Sequence, residues 1–407
     1  MNMDSRTITE ARAACNKKIF LYGYFGAGNI GDELILTAFL TLLDSRGAKF
    51  EVIIAVDNPL LYDPTRYRTD FVNLDILFIK RHKNPLNFEI IKSFTTSRAF
   101  IIPGGGIFQD YNPLSFLCYY SFLLCAKIFG VKNYLLYQGL TGINGRASRE
   151  LFYLAANRFI DYISVRDAES VSFLSKTRFN DSACLNEYCD SVFALKTVIS
   201  KEIKTDGASN SSATALDLEA LDGRGAIGFS LRPWKSLKAA DIAKVLTAVT
   251  ELSGRKIKLY SMHKTVDCDF NAKVIAALDE KTRTNITSVE YSNDAIKLAG
   301  SLGANIINVG MRFHFSVLSM CAGAACIGLA YDEKVCGLYR AANLHELCIA
   351  GREFDELISG SAAPLLIRLE YALKNRTQIK NTAARFADEC LKRVENMFND
   401  FYEKSLS

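Results

Sequence analysis

Three segments of this chain place cationic or proton-transferring side chains directly after short apolar runs, where an α/β sheet would present them to a ligand. In GMRFHF, Arg312 and His314 stand between a strand-like INV and a helix, and Lys334 follows in AYDEKV. The chain has 4 histidines. One beside an arginine at a helix N-terminus is better placed to move a proton near neutral pH than His82, His263 or His345. In GFSLRPW, Arg232 ends a strand-like run and is followed by Pro233 and the single tryptophan, Trp234. That guanidinium either holds an anion or stacks on the indole. In ISVRDAES the run ends on Arg166 and Asp167. Arg166 either meets a carboxylate or phosphate bidentately or pairs with a neighbouring acid.

Two further loops are rich in glycine. GYFGAGNIGDE carries G-x-G-x-x-G at Gly26, Gly28 and Gly31, with Asn29 between them and Asp32 and Glu33 directly after. The spacing is that of a dinucleotide loop, with Asp57 or Glu51 as the ribose acid. Against it, two carboxylates in the first helical turn repel the pyrophosphate that the helix dipole should attract. The glycines are therefore read as allowing close approach to another ligand, or as making the turn. IIPGGGIFQD sets Gly104, Gly105 and Gly106 ahead of Gln109 and Asp110. Backbone amides freed of side chains form an anion or sugar nest, and the missing Gly-Lys-Ser/Thr ending argues against a nucleotide P-loop.

The elements that must position these loops alternate. Strand-like runs at 18–24, 51–56, 99–102, 133–137 and 162–165 are interleaved with helical periodicity at 33–43, after Pro113, and at 149–159. A second series places strands at 226–231, 256–260, 286–291, 305–309 and 325–330, with helices between them and a closing helix at 383–401. Such alternation predicts parallel sheets covered by helices on both faces. The expected organisation is an N-terminal Rossmann-like domain over 1–200, a linker or mobile loop over 201–225, a C-terminal Rossmann-like domain over 226–380, and a helix over 381–407 that packs back on the first domain. The two domains are expected to face one another across a cleft.

At 407 residues, 49 basic against 44 acidic and a net charge of +5, the chain fits two globular domains and small anionic substrates, not nucleic acid. Its 11 cysteines form no CxxC pair, so reduced thiols are expected, without zinc or a disulfide framework. The N-terminus has no apolar signal region, which points to a cytoplasmic protein. The apolar stretch 114–131 is interrupted by Lys127, falls short of the ~20 residues of a spanning helix and is read as a core helix.

Taken in order, GYFGAGNIGDE, PGGGIFQD, YQGLTG, ISVRDAES, CDSVFAL, SLRPW, MRFHFSVLSMCAGA and GLAYDEKV resemble the polysaccharide pyruvyltransferases, and the resemblance covers nearly the whole chain. It departs where the family tends to have proline, at Ser191 and Glu333, and where a GQG-type segment reads YQGLTGI. The resemblance implies a GT-B-like architecture and a transferase that uses phosphoenolpyruvate as co-substrate. Its enolpyruvyl unit would pass to a sugar hydroxyl pair of a cell-surface glycan or its precursor, forming a pyruvate ketal. Arg232 and Arg312 would hold the donor's carboxylate and phosphate, His314 would act as acid and base, and Arg166 and Lys334 would complete the anionic pocket. The glycine loops, with Asn29, Asp32, Glu33, Gln109 and Asp110, would lie on the acceptor side. No cofactor or metal is implied. A lipid-linked acceptor would bring the protein to the inner face of the membrane, where the KRHK run at Lys80–Lys83 either assists or, as the first reading of such a run, forms a solvated loop. A GT-B glycosyltransferase with a nucleotide-sugar donor is the main competing expectation. A nicotinamide oxidoreductase and a silent sugar-binding protein follow it.

Overall fold

The computed structural model describes residues 18–62, 67, 69–179, 190–209, 225–234 and 237–407. The chain divides into two compact units. The first runs to Ala27, resumes over Asp32–Ala194 and takes up Lys392–Ser407; the second comprises Gly28–Gly31 and Leu195–Leu391.

In the first unit, β1 (Lys18–Tyr22), α1 (Ile30–Asp44, from Asp32 on), β2 (Phe50–Val56), β3 (Leu74–Lys80), α2 (Phe88–Thr96), β4 (Ala99–Ile102), α3 (Pro113–Ile128), β5 (Lys132–Gln138), α4 (Arg146–Arg158), β6 (Tyr162–Val165) and α5 (Ala168–Leu174) follow in order. The strands form one parallel sheet in the order β3-β2-β1-β4-β5-β6. Its central strands are apolar on both faces, as burial between two helix layers requires: AFII of β4 is wholly buried. The edge strand β3 is different. LDILFIK alternates buried and exposed positions, so it lacks the continuous apolar pattern of the central strands and is not among the expected ones.

In the second unit, α6 (Lys196–Ser209), β7 (Ile227–Ser230), α7 (Ala239–Ser253), β8 (Ile257–Tyr260), α8 (Val266–Ala276), α9 (Glu280–Arg283), β9 (Ile286–Val289), α10 (Ala295–Gly303), β10 (Ile307–Gly310), α11 (Phe313–Cys321), β11 (Cys326–Leu329), α12 (Glu333–Ala341), β12 (Cys348–Ile349), α13 (Gly351–Ile358) and α14 (Ala363–Lys374) build a second parallel sheet, ordered β12-β11-β10-β7-β8-β9. Renumbered within each unit, both sheets have the doubly wound Rossmann order, whose connections reverse direction between the first and fourth strands. Those switch points lie between β1 and β4, and between β7 and β10.

Residues 201–209, expected in a linker, continue helix α6; the rest of that expected linker up to 224 lies outside the described residues. The closing helix is longer than its periodicity suggested. As α15 it spans Arg376–Ser405, and its last turns belong to the first unit. There Phe398 meets Phe39 edge-on at 5.9 Å, Phe401 meets Tyr134 at 5.2 Å, and the Tyr137 hydroxyl donates to the Val394 carbonyl at 2.9 Å.

Candidate functional site

In the second unit the residues of interest sit at the carboxyl ends of β7, β8, β10 and β11. β10 delivers Arg312 as the residue preceding α11, a helix whose N-terminus has no side-chain cap. The Arg312 guanidinium is fixed by Asp267, wholly buried in the first turn of α8. Nε donates to Oδ2 at 3.1 Å and Nη2 makes a short bond to Oδ1. Asp267 Oδ2 also accepts from the Met262 amide at 3.1 Å. One edge of the guanidinium is thus committed, and the Nη1 side is the part its geometry offers to a ligand. Asp267→Ala would strand this arginine over a buried void. The expected cost is about 3–5 kcal/mol, read as a lower urea midpoint, and an unchanged midpoint would contradict the bracing role.

His314 lies in the first turn of α11, with its ring edge-on to Phe313 at 5.0 Å. The imidazole packs directly on Gly31, where a β-carbon would overlap Nδ1. The loop that leads into α1, just before Gly31, is held by backbone bonds: Ile30 N donates to Met262 O at 3.0 Å and Lys264 N to Gly28 O at 2.8 Å, and Asn29 forms a bridge with His263. The G-x-G-x-x-G spacing therefore has a local explanation. Gly26 and Gly28 adopt φ of 76° and 79°, which glycine tolerates best, and Gly31 makes room for a histidine.

Arg232 follows β7. Its Nη1 donates to the Tyr331 hydroxyl at 2.9 Å, and its guanidinium lies 4.7 Å from the Tyr331 ring and 5.5 Å from that of Trp234. Stacking and anion binding are compatible here, because cation–π contact leaves the in-plane N–H groups available. Lys334 Nζ lies 5.5 Å from the same Tyr331 ring and 3.6 Å from Asp332, whose other carboxylate oxygen caps α12.

His263, set aside on sequence grounds, belongs to this cluster. Burial lowers its pKa most; Arg312 lowers it further, Asp267 opposes them, and Arg232 adds a last lowering contribution. Its Nδ1 faces the amides of Thr265 and Val266 at 3.3 and 3.4 Å, so the neutral ring carries its proton on Nε2. The strand-end rule that drew attention to Arg312 applies equally to the residues after Tyr260. It would have found both His263 and Asp267.

The remaining expected site residues lie in the first unit, apart from Gly28 and Asn29. Arg166 is buried, with Nη1 bonded to Asp190 Oδ2 at 3.1 Å and Nε 3.7 Å from Asp167, which satisfies the ion-pair alternative. Its guanidinium lies over Gly139, where a β-carbon would come within 2.9 Å of two of its nitrogens. Arg166 is therefore in a different unit from Arg232, Arg312, His314 and Lys334. Glu33 points inward, accepting from Gly26 N at 2.7 Å and Tyr62 Oη at 2.6 Å, and burial raises its pKa. Asp32, in the same turn, stays partly exposed. Asp110 accepts from the amides of Asn144, at 2.8 Å, and Gly145, so it braces a loop. Gly106 packs near the Gln109 amide, and Gly104 near Ile35 and Ser191.

This architecture is found in known proteins. The chain is similar to a glycosyltransferase from Rickettsia africae ESF-5, with 11% identity over 95% of this chain and 97% of that one and a TM-score of 0.58. It is similar to MnaA of S. aureus in its UDP co-structure, with 10% identity, 96% and 98% covered and a TM-score of 0.62. The UDP-GlcNAc 2-epimerase of Neisseria meningitidis bound to UDP-GlcNAc gives 10% identity, 95% and 100% covered and a TM-score of 0.62. At such identities the likeness defines the fold: two doubly wound α/β units of the GT-B kind. No curated protein matches the chain by sequence. The polysaccharide pyruvyl transferase family model matches residues 29–333, well over half of the chain, and the chain belongs to that family.

Proposed function

We propose that the protein transfers the enolpyruvyl unit of phosphoenolpyruvate to two hydroxyls of one sugar in a glycan or lipid-linked precursor, on the cytoplasmic side, forming a pyruvate ketal and releasing phosphate. The observation that carries this reading is the meeting of Arg232 and Arg312 around His263 at the switch point of the second sheet, with His314 in the first turn of α11. Family membership supports the transferase class.

Phosphoenolpyruvate is small and carries anionic groups at both ends, so two guanidinium groups both neutralise and orient it. In the proposed reaction His314 protonates the methylene carbon, which becomes the ketal methyl group. One sugar hydroxyl adds to the electron-poor central carbon, and its proton returns to the imidazole. The C–O bond to phosphate breaks, the second hydroxyl closes the ring, and its proton leaves with the phosphate. Lys334 adds positive charge at the rim. Arg166 keeps the β6 end of the first unit in shape.

Phosphate release from phosphoenolpyruvate is the direct test, measured with a panel of glycan acceptors beside thermal shifts with phosphoenolpyruvate and with UDP. Acceptor-dependent release is expected. The competing reading is a nucleotide-sugar donor, suggested by the UDP-bound proteins of similar fold. Stabilisation by UDP, with neither shift nor release from phosphoenolpyruvate, would transfer the assignment to it.

His263 supplies a further signature. In the free protein Arg312 and Arg232 both disfavour its charged form. A bound anion offsets them and raises its pKa, so between the lowered pKa of the free protein and the raised pKa of the complex, a window that opens below the ordinary histidine value of about 6.5, donor binding should take up a proton. Calorimetry in buffers of different ionisation enthalpy should detect this uptake in the wild type. It should be reduced in His263→Gln, and an identical proton count in the two proteins would remove His263 from the donor site.

A further inference from the structure

Helix α3 has an unusual surface. Its inner face, with Phe116, Phe122 and Leu123, enters the core of the first unit. A helix there should be polar outside. Instead Leu114, Leu117, Leu124 and Ile128 recur at three- and four-residue spacing along the outer face, interrupted only by Ser121. Leu114 is 80% exposed, Leu117 48% and Ile128 71%. The patch continues beyond the helix. Cys118 Sγ donates to the Lys83 carbonyl at 3.3 Å, which sets the loop before α2 against the first half of α3. That loop presents Leu86 at 64% exposure, and Phe88, the first residue of α2, is 81% exposed.

The charge around this stripe is basic. Lys80, Lys83 and Lys127 are exposed. Of the nearby carboxylates, Asp110 is held by backbone amides, and Glu89, half exposed, lies 3.5 Å from His82. A second copy of the chain docking through the same face would set three exposed lysines against three, with the half-exposed Glu89 beside them. An anionic bilayer surface satisfies both features, taking the leucines and phenylalanine below the headgroups and the lysines at the level of the phosphates. At 16 residues α3 is too short to span, and among the described residues no helix is long and apolar enough to cross a membrane.

We propose that the outer face of α3 and the Lys83–Phe88 segment form a docking surface for an anionic lipid bilayer. The proposal is independent of the donor assignment. It identifies the first unit as the one that meets a lipid-linked acceptor at its membrane.

The test is co-sedimentation of the full chain with phosphatidylcholine vesicles, with and without phosphatidylglycerol. The wild type is expected to bind the anionic vesicles. Leu114→Ser with Leu117→Ser should weaken binding at least about tenfold, from the apolar surface lost. Lys83→Glu with Lys127→Glu should weaken it roughly fivefold per lysine at low salt and less at high salt. All four positions are exposed, so near-native thermal midpoints are expected for both variants. Absence of wild-type binding, or equal binding by the variants, overturns the proposal. A concentration-dependent dimer that the leucine variant dissolves, without vesicle binding, assigns the stripe to a second copy and also overturns it.

Discussion

Arg312→Ala is expected to lower acceptor-dependent phosphate release by roughly 10²–10³-fold, the loss typical when a preorganised donor to developing charge is removed. The prediction is sharp because the side chain is held in place. With Nε and Nη2 on Asp267, the guanidinium cannot swing away, and its remaining N–H groups need no reorganisation to meet an anion. Arg312→Lys should recover little of the activity, since an ammonium cannot grip Asp267 through two parallel bonds and still face a ligand. Steady-state kinetics with varied phosphoenolpyruvate separates the contributions. A change in KM alone would assign Arg312 to ground-state binding, whereas retention of both kcat and KM would remove it from the site.

His314→Ala should cost about 10²–10⁴-fold in kcat with a smaller change in KM, as expected for loss of a positioned acid–base group. Gly31 gives an independent route to the same residue. In Gly31→Ala the new methyl group overlaps the imidazole, so either the ring or the loop must move. A misplaced proton donor should reproduce much of the His314→Ala loss while His314 is still present. The two changes together should cost little more than His314→Ala alone, because both act on one group. Additive losses, or full activity in His314→Ala, would separate this histidine from the chemistry.

The fold was legible where its strands are buried on both faces. KIFLY, AFII and INVG are short, mostly apolar runs followed by turn residues, and each lies in a β-strand of the structure. It was illegible at two of the four sheet edges, β3 and β12, whereas the other two, β6 and β9, lie within the runs read at 162–165 and 286–291. LDILFIK alternates, and β12 is only two residues long. The site followed the same division. Arg232, Arg312 and His314 could be singled out because they immediately follow strands. The Arg312–Asp267 and Arg166–Asp190 pairs could not be foreseen, because they join residues 45 and 24 positions apart and depend on tertiary packing. No local spacing distinguishes a guanidinium awaiting a ligand from one already neutralised. The carboxylate that decides between them comes from another element.

The return of α15 also bears on how the chain acquires its structure during synthesis. The first unit is discontinuous: its sheet is complete by Val165, yet Phe398, Phe401 and Tyr402 supply the aromatic cover over Phe39, Tyr134 and Phe50. On the ribosome these partners of the final helix must wait through the translation of the entire second unit. For that interval the nascent first unit carries an unfinished apolar face, of the kind that draws chaperones or misassociates. The segment after Lys392 then acts as the closing step of assembly, after which the sheet made earliest becomes fully packed.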